Sequence, residues 1–156
     1  MPKAARPTFE TTLAVRDACL CLHVQRAARA LARRFDEALR PVGLTNGQFS
    51  LLMSLNRPEP PGMAAVATLL GIDRTTLTAA LKPLQRRGLV KVTAEPEDRR
   101  GRIMTLTAKG RNLLCIAVPV WKRTHAAVEG LLPEGDADRL RNHLRTISRS
   151  SQSLEV

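Results

Sequence analysis

The chain has 156 residues, enough for one domain with helical extensions. Hydrophobic residues make up 44%, which excludes a disordered tail, and the net charge of +11 favours an anionic partner, either nucleic acid or a membrane surface. Aromatic content is 3% with no tyrosine, which argues against single-strand or RNA binding through stacked rings.

The N-terminus "MPKAARPTFETTLAV" carries charge but no apolar segment of the kind that directs secretion. Strictly apolar runs such as "CIAVPVW" are far too short to span a bilayer. The sequence therefore predicts a cytoplasmic protein with no membrane partner. In that reducing compartment three cysteines do not make a disulfide framework.

Leu13, Leu20, Val24, Ala27, Leu31, Phe35 and Ala38 recur at helical steps and predict one long helix from Phe9 to Val42. "RPVGL" stops it through Pro41 and Gly43. Thr45 and Gln48 then form a capping box ahead of Phe49, Leu51, Leu52 and Leu55. The loop "NRPEPPG" leads to a short helix, "MAAVATLLGI", that ends at Gly71. A further helix follows in "DRTTLTAALKPLQRRG", capped by Asp73 and stopped by Gly88. "LVKVTAE" and "RIMTLT" read as two strands around the charged tip "PEDRRG". A second long helix begins at Ala108 and contains Pro119; "DADRLRNHLRTISRS" forms the last one.

A helix, a Gly-containing turn, a second helix and a charged hairpin together describe a winged helix-turn-helix. Val66, Ala67, Leu70, Ile72, Leu77, Leu81 and Leu84 pack the two helices, leaving Arg74, Thr75, Thr76, Thr78 and Lys82 to face bases in the major groove. Wing residues Arg99, Arg100 and Arg102 suit a narrow minor groove. Lys109 and Arg111 suit phosphates at the start of the next helix. Between Arg74 and Arg111 there are ten basic and three acidic residues, so +7 of the chain's +11 falls on this proposed reader. The reading helix has no Asn or Gln on its early turns, which argues against bidentate adenine recognition. Pro83 predicts a kink that leaves the DNA-facing first half intact.

"GLTNGQFSLL", "LLGIDRTTLTAALKPLQRRGLV" and "EDRRGRIMTLTAKG" resemble the multiple-antibiotic-resistance regulator (MarR) family. The wing signature Asp-x-Arg is Asp98 and Arg100, and the Leu-Thr-x-x-Gly that follows is Leu106, Thr107 and Gly110. The resemblance adds Asp98 to the DNA-binding set. It implies a mainly α fold with a small β-hairpin wing, a winged helix-turn-helix flanked by long N- and C-terminal dimerisation helices. The expected organisation is a single domain over 1–156, with residues 43–110 as the DNA-binding region and 9–42 and 108–150 as the helical dimerisation region. The apolar stripes of the terminal helices are too extensive for one small winged domain, which independently favours a homodimer. The implied function is a homodimeric repressor on pseudo-palindromic double-stranded operator DNA, released by a small aromatic or phenolic acid or by thiol oxidation.

Arg16, His23, Gln25 and Arg26 are the candidate effector contacts on the first helix. Cys19 and Cys21 are the redox candidates; counted back from "GLT", Cys21 matches the reactive position of the family's peroxide-sensing branch. On a continuous helix the two cysteines point about 200° apart and cannot chelate one ion, so no metal or other cofactor is expected. The sequence shows no nucleophile elbow, phosphate-cradling loop or paired carboxylate site, which argues against an enzyme.

Overall fold

A computed structural model describes residues 6–98 and 100–150. The elements run in the order α1 (Phe9–Ala18), α2 (Leu20–Leu39), a 3-10 turn (Arg40–Val42), α3 (Asn46–Ser54), α4 (Met63–Leu70), α5 (Arg74–Arg86), β1 (Val90–Ala94), β2 (Arg102–Leu106), α6 (Ala108–Glu129) and α7 (Asp136–Ser150). This is the expected mainly helical fold with one antiparallel hairpin, in which Val90 pairs with Leu106 and Ala94 with Arg102.

Local chemistry explains most of the boundaries. Thr45 Oγ1 accepts the Gln48 N–H at 3.2 Å while Gln48 Oε1 accepts the Thr45 N–H at 3.2 Å, so the capping box forms as the sequence predicts. Asp36 of α2 adds a second acceptor for the same helix start, 2.6 Å from the Asn46 N–H. That bond fixes the angle at which α3 leaves α2.

The first helix departs from expectation. It breaks at Cys19, whose backbone is extended with ψ at 105°. The Cys19 N–H closes α1 on the Val15 carbonyl, and its sulfur accepts the Leu22 N–H at 3.4 Å to start α2. His23 Nδ1 lies 2.9 Å from the Cys19 carbonyl and holds the bend. No Pro or Gly marks this position, so hydrophobic periodicity runs straight through it. Cys19 is therefore an N-cap residue rather than a residue within a helix.

One core joins the C-terminal end of α2 to α3, α4, α5, the hairpin and the first half of α6. Leu39, Leu52, Val66, Leu77, Leu84 and Met104 are fully enclosed in it. Each such side chain contributes roughly 1.5–3 kcal/mol through apolar burial. The terminal helices contribute little: α1 and α7 bury no described side chain, and α2 buries only Phe35 and Leu39. Phe9 and Leu20 are 75% and 71% exposed, and Leu140, Leu144 and Ile147 form an exposed apolar row on α7.

The hairpin meets α6 at a tight joint. Thr107 caps α6 through its Oγ1, 3.0 Å from the Gly110 N–H. The same hydroxyl donates to the Gly88 carbonyl at 2.7 Å, and the Thr107 N–H donates to the Leu89 carbonyl at 3.1 Å. A β-carbon at Gly110 would overlap that Leu89 carbonyl, so the motif's glycine is required by backbone proximity. Gly110→Ala should lower stability by about 1–3 kcal/mol, read as a drop of a few degrees in the thermal midpoint. An unchanged midpoint would show that the joint opens without cost.

Candidate nucleic-acid interface

Helices α4 and α5 cross at 100° about a turn built on Gly71, which has φ at +65°. The Ile72 N–H returns to the Ala67 carbonyl at 3.0 Å and closes the turn. Asp73 then starts α5: its Oδ1 accepts the Thr76 N–H at 2.6 Å and its Oδ2 accepts the Thr76 hydroxyl at 3.0 Å. These bonds hold the Asp73 carboxyl below the ordinary aspartate range, since both favour the ionised form.

Leu77, Leu81 and Leu84 bury one face of α5, which leaves Arg74, Thr75, Thr76, Thr78 and Lys82 exposed around the rest of its surface. The structure divides the threonines. Thr78 donates its hydroxyl to the Arg74 carbonyl at 2.8 Å, and Thr76 gives its hydroxyl to Asp73, so each offers a methyl group and a lone pair. Thr75 makes no such local hydroxyl bond among the described residues. The helix carries on through Pro83 to Arg86, and the Arg87 N–H caps its end on the Pro83 carbonyl at 3.1 Å.

The wing tip is a folded turn. Asp98 Oδ1 accepts the Arg100 N–H at 2.9 Å, and the Gly101 N–H returns to the Asp98 carbonyl at 2.9 Å. Asp98 therefore shapes the turn that carries Arg100. Arg100 and Arg102 are exposed, and Arg102 Nη1 lies 3.2 Å from the Gly101 carbonyl. Arg99 lies outside the described residues. Behind the wing, the Met104 N–H reaches the Pro61 carbonyl at 3.1 Å and Gly62 bridges Ile103, so the proline loop braces β2.

Lys109 and Arg111 lie at the joint between reader and helical frame. Lys109 Nζ donates to the Arg87 carbonyl at 2.9 Å, at the C-terminal end of α5, where a cation is favoured. Arg111 Nη1 donates to the Leu106 carbonyl at 2.9 Å. Both residues are exposed, and each has further donors beyond the one these bonds use.

The expected effector residues do not converge. Arg16 is tied to Asp17 by two bonds of 2.6 and 2.9 Å. Gln25 bridges Cys21, whose sulfur accepts at 3.1 Å, and Arg29, which donates at 3.2 Å. His23 and Arg26 share a shallow groove on α2 with Arg29 and Arg33. A more apolar open cleft of about 560 Å3 lies elsewhere, between α3, the end of α4 and α6. Phe49, Met53, Leu69, Val118 and Trp121 make it apolar, and Lys122 supplies one cation. Sequence reading missed it because these residues meet only in the folded chain; the one signal was a single tryptophan next to a lysine. Among the described residues no group of His, Cys, Asp and Glu is arranged to hold a metal ion, and no single helix is long and apolar enough to cross a membrane.

The MarR family profile matches residues 44–101, which span α3 to the wing. The transcriptional regulator MosR of M. tuberculosis, solved in complex with DNA, is 39% identical; the match covers 88% of this chain and 99% of that one, with a TM-score of 0.80. The chain belongs to the MarR family. Within the family, the transcriptional repressor CouR bound to a 23-mer DNA duplex is 32% identical over 92% of this chain and 99% of its own, with a TM-score of 0.77. BpsR of Bordetella bronchiseptica, whose DNA binding is regulated by 6-hydroxynicotinic acid, is 26% identical over 84% of this chain and 94% of its own, with a TM-score of 0.76. As a MarR-family member the chain is a DNA-binding transcriptional regulator and not an enzyme.

Asp73 supplies a test of how the reading helix is held. Its depressed pKa means that the cap's contribution is complete above the ordinary aspartate range and is lost as pH falls from that range through the folded-state value. The stability difference between wild type and Asp73→Ala should stay constant from neutral pH down to that range and then shrink toward zero. A difference that persists at lower pH would mean the carboxylate is not the cap.

Proposed function

We propose that the chain is a cytoplasmic homodimeric repressor on a pseudo-palindromic operator, released by a small aromatic or phenolic acid. The observation that carries this reading is the division of the surface. Exposed cations and threonines gather on α5, the wing and the start of α6; α1, α2 and α7 expose apolar side chains, with α2 also carrying the exposed Arg26, Arg29 and Arg33. Apolar rows of that extent fit a twofold partner, and twofold symmetry sets two α5 helices about 34 Å apart, one turn of duplex.

In this reading Arg74, Thr75 and Lys82 meet base edges and nearby phosphates. Thr76 and Thr78 add methyl contacts to thymine. Arg99, Arg100 and Arg102 follow the minor groove, and Asp98 holds the turn at Arg100. Lys109 and Arg111 neutralise phosphates at the joint. The effector site is the α3–α4–α6 cleft, where the apolar lining suits an aromatic ring and Lys122 suits its carboxylate. The regulation of BpsR by 6-hydroxynicotinic acid, an aromatic acid, supports this class of ligand.

In vitro selection from random duplex DNA should return a pseudo-palindrome with half-site centres about one helical turn apart. Sedimentation equilibrium should give twice the 17.1 kDa chain mass. On the selected duplex Arg74→Ala should weaken binding by about 1–3 kcal/mol, with a smaller loss on random DNA. A monomer in solution, or equal affinity for selected and random DNA, contradicts the reading.

A second reading rests on Cys21, which is exposed and accepts the Gln25 amide N–H at 3.1 Å. That placement suits a thiol open to oxidants, with oxidation at Cys21 as the release signal. Hydroperoxide should then free the selected DNA from wild type but not from Cys21→Ser. Equal release from both ends this version.

A further inference from the structure

Trp121 is the single tryptophan of the chain, and it lines the α3–α4–α6 cleft. It stacks on Phe49 of α3, with ring centroids 6.1 Å apart and planes 17° apart. It also stacks on His125 one helical turn later, with centroids 4.6 Å apart and planes 10° apart. His125 Nε2 lies 3.2 Å from Glu129 Oε1. The same carboxylate oxygen receives Nη1 of Arg141, which belongs to α7, and Arg141 Nη2 donates to Asp138 Oδ1 at 2.6 Å. A continuous chain of contacts therefore runs from the cleft wall, along the last turns of α6, to α7.

This chain has features of a linkage rather than of surface decoration. Arg141 is held at two points, by Glu129 and by Asp138, so its guanidinium has a defined position. Arg141 also holds the Glu129 carboxyl below the ordinary glutamate range, which keeps it ionised as the shared acceptor. α7 buries no described side chain, so few packing contacts compete with this bond in setting its place. Its apolar row of Leu140, Leu144 and Ile147 is the face assigned above to the partner copy.

We propose that His125, Glu129 and Arg141 are the positioning residues through which an occupant of the cleft resets α7, and with it the spacing of the two reading helices. The proposal rests on the effector reading above and extends it to the path of the response. A ring entering the cleft competes for the indole surface. When Trp121 turns, His125 loses its stacking partner and its hold on Glu129, and Arg141 is left to Asp138 alone. α7 then settles differently on the partner copy. The two arrangements differ in contiguous contacts, as physical coupling between sites requires.

The test uses the full-length chain, 4-hydroxybenzoate as the probe and the duplex recovered by selection. Tryptophan emission reports Trp121 directly. Arg141→Ala should red-shift and change the intensity of that emission, although residue 141 lies on another helix. Asp138→Asn should leave emission unchanged, because Glu129 keeps its partner, and Arg141→Lys should restore part of the wild-type spectrum. Circular dichroism on the same samples checks that the variants fold, which is expected for a side chain 40% exposed.

In wild type, 4-hydroxybenzoate should weaken DNA binding by about 5–150-fold, the usual range of such coupling. In Arg141→Ala the probe should still perturb Trp121 emission, but the effect on DNA should fall to near onefold. An Arg141→Ala spectrum that superimposes on wild type overturns the linkage, and so does undiminished release from DNA. If the probe has no effect on wild-type DNA binding, the effector reading fails, and the emission comparison then decides the linkage by itself.

Discussion

The close approach of the start of α6 to the Leu89 carbonyl is the constraint on which the rest of the structure depends. Gly110 permits it by having no side chain, and Thr107 secures it by bonding to Gly88, Leu89 and Gly110. Lys109 adds a bond to the Arg87 carbonyl at the end of the reading helix. Three pieces of chain, the end of α5, the residues leading into β1 and the start of α6, are thereby pinned at one point. Displacing α6 relative to the reader would break several of these bonds at once. The helical frame thereby sets the position of the winged region.

Energetics divide the molecule in the same way. The core is built almost wholly from residues of the winged region and the first half of α6, where Leu, Val and Met side chains are fully enclosed. The terminal helices leave their apolar rows exposed and add little to the hydrophobic stabilisation of the fold. Charge is distributed as a complement: the reader holds most of the net positive charge. Cationic groups on an exposed face repel one another weakly in water and gain most when counterions leave a bound polyanion. Stability and function thus draw on different side chains, with the joint at Gly110 between them.

Much of this was legible in the sequence because the signals were local. The Thr45–Gln48 capping box, the Asp73 cap, the turn at Gly71 and the charged hairpin each depend on residues within one or two turns of each other. Their physical causes are hydrogen bonds and backbone angles that neighbouring residues decide. The break at Cys19 was not legible, because sulfur capping by cysteine and the His23 contact leave no Pro or Gly signal. The cleft was hidden for a different reason: Phe49, Leu69 and Trp121 are far apart in the chain and meet only through the packing of three helices. The candidate effector residues on the first helix are marked in the sequence only by their polar and charged side chains. Their partners, such as Asp17 for Arg16 and Cys21 for Gln25, emerged only with the side-chain geometry. Asp98 could be picked out from its motif, but its task in the wing turn required the Arg100 N–H to be placed.

Amide hydrogen exchange at Thr107 tests the central claim most directly. Its N–H donates to the Leu89 carbonyl inside the joint, and its exchange reports whether reader and frame open together. If the joint belongs to the cooperative core, Thr107 and Gly110 should exchange as slowly as Leu84 and Met104, through global unfolding. Exchange at Thr107 as fast as at the exposed residues of α7, with the core still protected, would show that α6 swings free of the reader and would contradict the account.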